Sequence, residues 1–356
     1  MDRDGNTVLD INLLLDWYSE NKRDLPWRSS NNPYFIWISE IMLQQTRVDT
    51  VIPYYNKFIK SFPTVYHLSE ASIDDVLFHW KGLGYYSRAQ NLKKGAHIVV
   101  QEFNGRLPEN AKLLKKIPGI GEYTAGAILS IAYEKDHVAV DGNVERIISR
   151  LYALEEDISL TTTKRKIVIW VKTLTIEGRA RETNQAWMDL GSLICTPKSP
   201  SCRSCPFMNS CKAYVLNKQT YFPIKGKKSK IKKFIRAIFI IQKRNKYLLM
   251  QRTQKGLYSG LWEFPGVEFK KDYSSEDKVL EYISSAYHIS PNDIEFISEG
   301  KHVFSHMHWH MKFYHCIVQD EFAKKDNFSD WYTKEDLEHL AIPSAYKMAM
   351  KWIKSR

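Results

Sequence analysis

Cys195-Thr196-Pro197-Lys198-Ser199-Pro200-Ser201-Cys202-Arg203-Ser204-Cys205-Pro206-Phe207-Met208-Asn209-Ser210-Cys211 holds four of the chain's five cysteines, separated by six, two and five residues. Thiolates are soft donors, so such a set reads as a metal centre, either tetrahedral zinc or an iron-sulfur cluster. A disulfide framework is the plain alternative, but a long chain with an odd cysteine count and no secretory features does not need stapling. Zinc would ask for a second Cys-x2-Cys pair, and only Cys202 and Cys205 form one. The irregular spacing over one tight loop suits a cubane gripped at four corners. The fifth cysteine, Cys316, lies in an apolar, strand-like run and is expected to be packing.

Outward from this loop, composition sets the limits. With 356 residues, 44% of them hydrophobic and 13% aromatic, the chain can fill two cores. No apolar run reaches the length of a membrane span, and the start carries Asp2, Asp4 and Asp10 where a leader would be basic. A cytoplasmic protein without membrane contact is expected. The formal charge of +12 points to a polyanionic partner. That excess is concentrated: no acidic residue falls between Cys211 and Glu263, while Lys225, Lys227, Lys228, Lys230, Lys232, Lys233 and Arg236 crowd together. The stretch reads as an interdomain strap, either a solvated tether or a direct phosphate contact.

Upstream of the strap the apolar spacing is helical. Val48, Val51, Ile52, Tyr55, Phe58 and Phe62 share one face, and Leu113, Leu114 and Ile117, then Ile147, Ile148 and Leu151, repeat the pattern. Downstream, Ile238–Ile241 and Tyr247–Met250 read as a β-hairpin, alternation returns at 303–317, and helices are predicted around 278–287 and 345–353. The fold class is therefore multidomain, an all-α unit followed by an α+β unit.

Three sites carry possible chemistry. In Ile117-Pro118-Gly119-Ile120-Gly121 two glycines flanked by helical segments can leave amide N–H groups facing an anion such as a phosphodiester. A plain helix-to-helix turn reads equally well. In Asp141-Gly142-Asn143-Val144 an acid ends an apolar run before a helix, where capping is its ordinary role. Glu40, on the helix opened by Asn32-Pro33, shares a face with Ile36, Trp37 and Leu43. Desolvation there should raise its pKa and give an acid that keeps its proton near neutrality.

Taken together, Leu25-Pro26-Trp27-Arg28, Ser39-Glu40-Ile41-Met42-Leu43-Gln44-Gln45-Thr46, the glycine turn, Asp141-Gly142-Asn143-Val144 and the four cysteines resemble adenine DNA glycosylases of the MutY type. The resemblance covers most of the chain. It implies a helix-hairpin-helix glycosylase core: a six-helix barrel over 31–135, a cluster lobe over 1–30 and 136–215, a basic linker over 216–233, and a Nudix-like lesion-recognition domain over 234–356. It also implies a [4Fe-4S] cluster on Cys195, Cys202, Cys205 and Cys211, and a monovalent or divalent cation at the hairpin. The implied partner is double-stranded DNA with adenine opposite 8-oxoguanine, met by a monomer in the cytoplasm at the nucleoid.

By the same resemblance, adenine is flipped out, Glu40 protonates it at N7, and Asp141 stabilises an oxocarbenium-like sugar, with Tyr123 and Asn143 orienting these groups. Trp27, Arg28, Leu43 and Gln185 would line the base pocket. Gln45 and Tyr85 would enter the DNA stack, Pro118, Gly119, Ile120 and Gly121 would hold its backbone, and Phe304, Ser305 and His306 would read the oxidised base. Without the resemblance Tyr85 reads as core. The endonuclease III group is similar but places a lysine nucleophile where this chain has Tyr123, and a phenol cannot form the Schiff base for strand cleavage. A monofunctional enzyme of base excision repair is expected, with no lyase activity.

Two rival readings concern the second half. Arg252 and Gly260-Leu261-Trp262-Glu263-Phe264-Pro265-Gly266 resemble the entrance to a Nudix pyrophosphatase signature. Beyond Asp272 and Glu281 that signature fails, with Leu280, Ser284, Ser285 and Tyr287 in the places of its arginine, paired glutamates and glycine. Magnesium would lack its carboxylates. Alternation of His306, His308 and His310 could place three ligands on one strand face, although exposed histidines need no metal. A catalytically silent lesion sensor is a third class, opposed by the presence of both carboxyls.

Overall fold

The computed structural model describes residues 9–226, 231–253, 256–269, 276–287, 294–304, 307–319 and 328–356. Lys227, Lys228, Lys230, Asp272, Ser305 and His306 lie outside the described residues. The chain divides into two compact units, Met1–Ala71 with Asn91–Lys227, and Ser72–Gln90 with Lys228–Arg356.

The first unit is helical. Its centre is the helix Pro33–Leu43, opened by Asn32, whose side chain accepts a hydrogen bond from the Tyr34 N–H at 2.9 Å, and by Pro33 in the first turn. Such a cap contributes about 1 kcal/mol. The sequence suggests an apolar stripe here, but Tyr34 and Ile36 to Met42 are all buried, so the helix is enclosed on every side. Glu40 is thus carried into a core. Helices Val48–Ser61 and Glu122–Ile131 pack against it.

A second core in this unit joins the chain's two flanks. Leu14 and Leu15 of helix Asn12–Asn21 meet Val144, Ile147, Ile148 and Leu151 of helix Gly142–Tyr152, and Trp187 and Leu190 of helix Ala180–Leu193. Phe207, from the cysteine loop, stacks on Trp187 with ring centroids 5.5 Å apart. The loop is therefore anchored by apolar burial beside its cysteines.

In the second unit, β1 (Lys232–Lys243) and β2 (Lys246–Gln251) form the expected hairpin. They join β3 (Trp262–Glu263), β4 (Gly266–Phe269), β5 (Ile294–Val303), β6 (Met307–Ile317) and β7 (Ser329–Thr333) in a mixed sheet of order β3-β2-β1-β6-β5, with β4 on β1 and β7 on β2. The alternating run 303–317 is the last residue of β5 followed by β6, and the two strands pair antiparallel; the Phe304 N–H donates to the Met307 carbonyl at 2.8 Å. Strand β1 is buried from Arg236 to Ile241, as a strand parallel to its neighbour β6 and covered on both faces should be. Ile238 and Ile240 face Tyr346, Ala349 and Ile353 at the C-terminal helix, while Ala237, Phe239 and Ile241 face Val279, Ile283 and Tyr287 of helix Glu276–Tyr287. Cys316 is buried in this second layer.

The stretch Ser72–Gln90 belongs to the second unit by its contacts. Lys81 Nζ donates to the carbonyls of Glu338 (3.2 Å) and Leu340 (3.1 Å), and Gln90 Nε2 donates to that of Ser259 (2.6 Å).

Candidate active site

One cavity of about 810 Å³ in the first unit gathers Trp27, Arg28, Glu40, Leu43, Gln45, Tyr123, Asp141, Asn143 and Gln185. These residues come from five separate stretches of chain. Helix Pro33–Leu43 brings Glu40 through the cavity wall with only 4% of its surface exposed, and one carboxyl oxygen, Oε2, has no hydrogen-bond partner among the described residues. Burial pushes the Glu40 carboxyl up to about 7; the Tyr123 hydroxyl and Arg28 pull it back in part, and the charge of Asp141 adds to the rise.

Asp141 is held differently. It caps helix Gly142–Tyr152, its Oδ1 accepting from the N–H groups of Asn143 and Val144, both at 2.9 Å, and its Oδ2 from Asn143 Nδ2 at 2.7 Å. Burial raises its pKa, and these three bonds, with Arg146, oppose the rise. Capping and cavity lining are thus one arrangement: the bonds that start the helix also fix the carboxylate. Asn143 is fixed in turn, since Arg146 donates to Asn143 Oδ1 (2.8 Å), to the Gly191 carbonyl (2.8 Å) and to the Cys195 carbonyl (2.8 Å). Gly191 permits this approach, because a Cβ there would stand 2.6 Å from Asn143 Cβ.

Trp27 forms an inner wall, 6% exposed and edge-on to Tyr55. Gln185 accepts from the Tyr18 hydroxyl at 3.2 Å. The Tyr123 hydroxyl stands 3.7 Å from Met188 Sδ. At the rim Gln45 is exposed and held in the left-handed region at φ 58°. Tyr85, in the second unit, has the same backbone conformation at φ 48° and is 48% exposed, so it is not a core residue. Arg88 braces its turn by donating to the carbonyls of Leu83, Gly84 and Tyr85. A non-glycine residue in this conformation costs about 1 kcal/mol or more and persists where the surroundings impose it.

In the glycine turn, Ile117 and Ile120 are buried, Gly119 takes φ 87°, and Gly119 and Gly121 face solvent ahead of helix Glu122–Ile131. The four cysteines line one small pocket with Ile147, Arg150, Leu190 and Phe207. Arg150 Nη1 lies 3.3 Å from Cys195 Sγ, and burial pushes the Cys205 thiol up to about 12. Among the described residues no three His, Cys, Asp or Glu side chains are grouped closely enough to hold a single metal ion.

In the second unit Phe304 packs against Trp309 (4.9 Å), His302 (4.6 Å) and Tyr258 (5.7 Å). His308 and His310 both lie on β6 and belong to no metal-ligand group among the described residues.

Sequence reading missed Arg23, Arg146 and Asp189. Asp189 is fully buried and accepts from Arg23 and Arg28 at 2.6 to 3.1 Å. The available signal was an acid four residues after Gln185, on the same helix face and between Trp187 and Leu190.

Comparison with known proteins follows the same division. A family model described as HhH-GPD superfamily base excision DNA repair protein matches residues 38–172, and one described as NUDIX domain matches 236–352. The chain is 33% identical over 334 residues to the adenine DNA glycosylase of Buchnera aphidicola subsp. Acyrthosiphon pisum (strain APS), covering 93% of each chain. Among solved structures, a thermostable thymine-DNA glycosylase matches with a TM-score of 0.54 at 29% identity, over 58% of this chain and 95% of the other. A non-covalent endonuclease III–DNA complex shares the helical fold, with a TM-score of 0.51 at 20% identity, over 58% of this chain and 94% of the other.

Proposed function

Because this chain belongs to the adenine DNA glycosylase family, base excision repair enzymes that hydrolyse an N-glycosyl bond, we propose that Glu40 is its general acid and Asp141 the anion that meets the sugar. Adenine is flipped from double-stranded DNA into the Glu40 cavity. Glu40 gives its proton to N7, and the base leaves with the electrons of the glycosidic bond. Asp141 stabilises the cationic sugar or bonds to it transiently, after which water adds at C1′ and leaves an abasic site. The observation that carries this reading is the asymmetry of the two carboxyls in one cavity. Glu40 is buried with an unpartnered oxygen, while Asp141 is held by three hydrogen bonds that favour its charge.

The base opposite is proposed to be 8-oxoguanine, with guanine a weaker partner. Support comes from Gln45 and Tyr85, two exposed side chains on left-handed backbones, and from Phe304, packed between β5 and β6 next in sequence to Ser305. The hairpin Pro118–Gly121 is placed on the DNA backbone, with the expected cation there.

A [4Fe-4S] cluster is proposed on Cys195, Cys202, Cys205 and Cys211. Four soft donors lining one apolar pocket beside Arg150 fit an anionic iron-sulfur cluster. When bound, it would supply order to the loop that carries Arg203 and Lys212, or a response to redox state. No helix among the described residues is long and apolar enough to cross a membrane. We place the enzyme as a monomer in the cytoplasm, at the nucleoid.

Single-turnover incubation with an adenine:8-oxoguanine duplex, with and without alkali, tests the reading. Nicking of the adenine strand only after alkali supports it. Nicking without alkali, or trapping by borohydride, would show a lyase, and phosphate release from an oxidised nucleotide would show a pyrophosphatase. A rate no slower on adenine:cytosine would overturn the proposed recognition of the opposite base.

A further inference from the structure

Behind the base cavity sits a charge cluster that the reaction scheme does not use. Asp189, fully buried on helix Ala180–Leu193, accepts five hydrogen bonds. Arg23 supplies three, from its backbone N–H (3.1 Å), Nε (2.9 Å) and Nη2 (2.6 Å). Arg28 supplies two, from Nη1 (2.8 Å) and Nη2 (2.9 Å), and Arg28 Nη1 also donates to the Arg23 carbonyl at 3.0 Å. Both arginines line the Glu40 cavity. A carboxylate so placed fixes two long side chains in one geometry and cancels one of their two charges.

We propose that Asp189 is a positioning residue for the base cavity: it pins Arg28 at the cavity wall and sets the net charge that Glu40 meets. The proposal rests on Glu40 being the general acid.

Arg23, Asp189 and Arg28 together carry +1. The titratable groups that line the cavity with Glu40 are Tyr123, Asp141, Arg28, Arg23, Arg47 and Asp49, of which Tyr123, Asp141 and Arg28 act on it directly. Within this set Arg28 already draws the Glu40 carboxyl downward, against burial and Asp141. Without Asp189 the cluster would carry +2, both guanidiniums would lose their carboxylate, and Glu40 would give up its proton at lower pH. Without Arg23 the cluster would be neutral, and Glu40 would hold its proton to higher pH. The two changes act in opposite senses, which a loss of packing cannot mimic.

The test is the pH profile of the single-turnover rate on an adenine:8-oxoguanine duplex, measured on the full chain with its cluster, for Asp189→Asn and Arg23→Gln. Affinity for a duplex carrying a non-cleavable adenine analogue is measured alongside. For Asp189→Asn the expected result is a rate lowered about tenfold at pH 7.5, an alkaline limb moved to lower pH, and affinity within about twofold. For Arg23→Gln the limb moves to higher pH. Limbs that stay in place, or move together, overturn the proposal, as does an Asp189→Asn loss found wholly in affinity. If Asp189→Asn does not fold, the Arg23→Gln limb decides alone, because Arg23 is partly exposed and its truncation leaves Asp189 paired with Arg28. Glu40→Gln runs in parallel. An active Glu40→Gln would sink the general-acid reading itself, whereas an inactive one with unmoved limbs would sink only the role of Asp189.

Discussion

Each unit carries a largely buried glutamate, and the two are treated in opposite ways. Glu40 enters its cavity with an oxygen unpartnered and its carboxyl lifted to about 7. Glu263, in the second unit, is closed off: Arg252 Nη1 lies 2.9 Å from its Oε2, Arg236 Nη2 lies 3.9 Å away, and the buried Tyr346 hydroxyl donates to the same oxygen. Arg236 in turn lies over the Trp309 ring at 4.3 Å. A carboxyl with one oxygen left unpartnered at a cavity wall is costly to fold and available for proton transfer. The same group ringed by donors is scaffold. The difference explains how a Nudix-like domain can keep the glutamate of its signature entrance in a structural role.

The largest effect that tests this contrast is on chemistry. Glu40→Gln should lower single-turnover cleavage by about 10³-fold, since it removes the proposed proton donor while keeping shape. Duplex affinity should stay within a few-fold. The same substitution should raise stability at alkaline pH. A carboxyl whose folded pKa is raised contributes fully below its unfolded value, and that contribution is lost as pH rises through about 7. Thermal or urea unfolding at pH 8 should find Glu40→Gln more stable by about 2–3 kcal/mol, and at pH 4 nearly equal to wild type. An active, unstabilised variant would erase the contrast.

Much of this was legible in the chain. The cysteine spacing, Glu40 amid apolar neighbours and Asp141 before a helix all point where the structure gathers them. What was hidden depended on contacts between distant segments. Asp189 reads as one more helix acid until Arg23 and Arg28 arrive from 161 to 166 residues away. Strands β3, β5 and β7 alternate too weakly to stand out, because their burial comes from neighbours across the sheet. Tyr85, an aromatic between glycine and tyrosine, reads as core on its residue type alone, and its exposure and left-handed backbone at φ 48° show only in the structure.

A second effect follows from titration. With Glu40 near 7 and proposed as the acid, its protonated form falls about tenfold per pH unit above that value, so the rate at pH 9 should be about 100-fold below its plateau. The profile of single-turnover rate against pH reads this directly. A flat profile would place the proton donor elsewhere. Smaller again is the effect of Asn143→Ala, which removes the bond to Asp141 Oδ2 and leaves Arg146 without one acceptor. A hydrogen bond to a charged group is worth about 1.5–3 kcal/mol, so a loss of about 10- to 100-fold in rate is expected.

The smallest effect on chemistry belongs to the other glutamate, and it sharpens the comparison most. Glu263→Gln keeps the size of the side chain but leaves Arg236, which is 7% exposed and has an unpartnered Nε among the described residues, facing Arg252 without a counter-charge. Removing one member of a fully buried pair costs about 3–5 kcal/mol. With 16% of the Glu263 side chain exposed, about 1–3 kcal/mol of unfolding free energy is the expected loss. Cleavage of an adenine:8-oxoguanine duplex under single turnover should stay within about twofold, because the cavity that holds Glu40 lies wholly in the first unit. A stability loss without a rate loss is the mirror image of Glu40→Gln, which loses rate and gains stability. Equal losses in both would mean that the glutamate of the second unit takes part in the reaction after all, and that ringing a carboxyl with donors has not retired it.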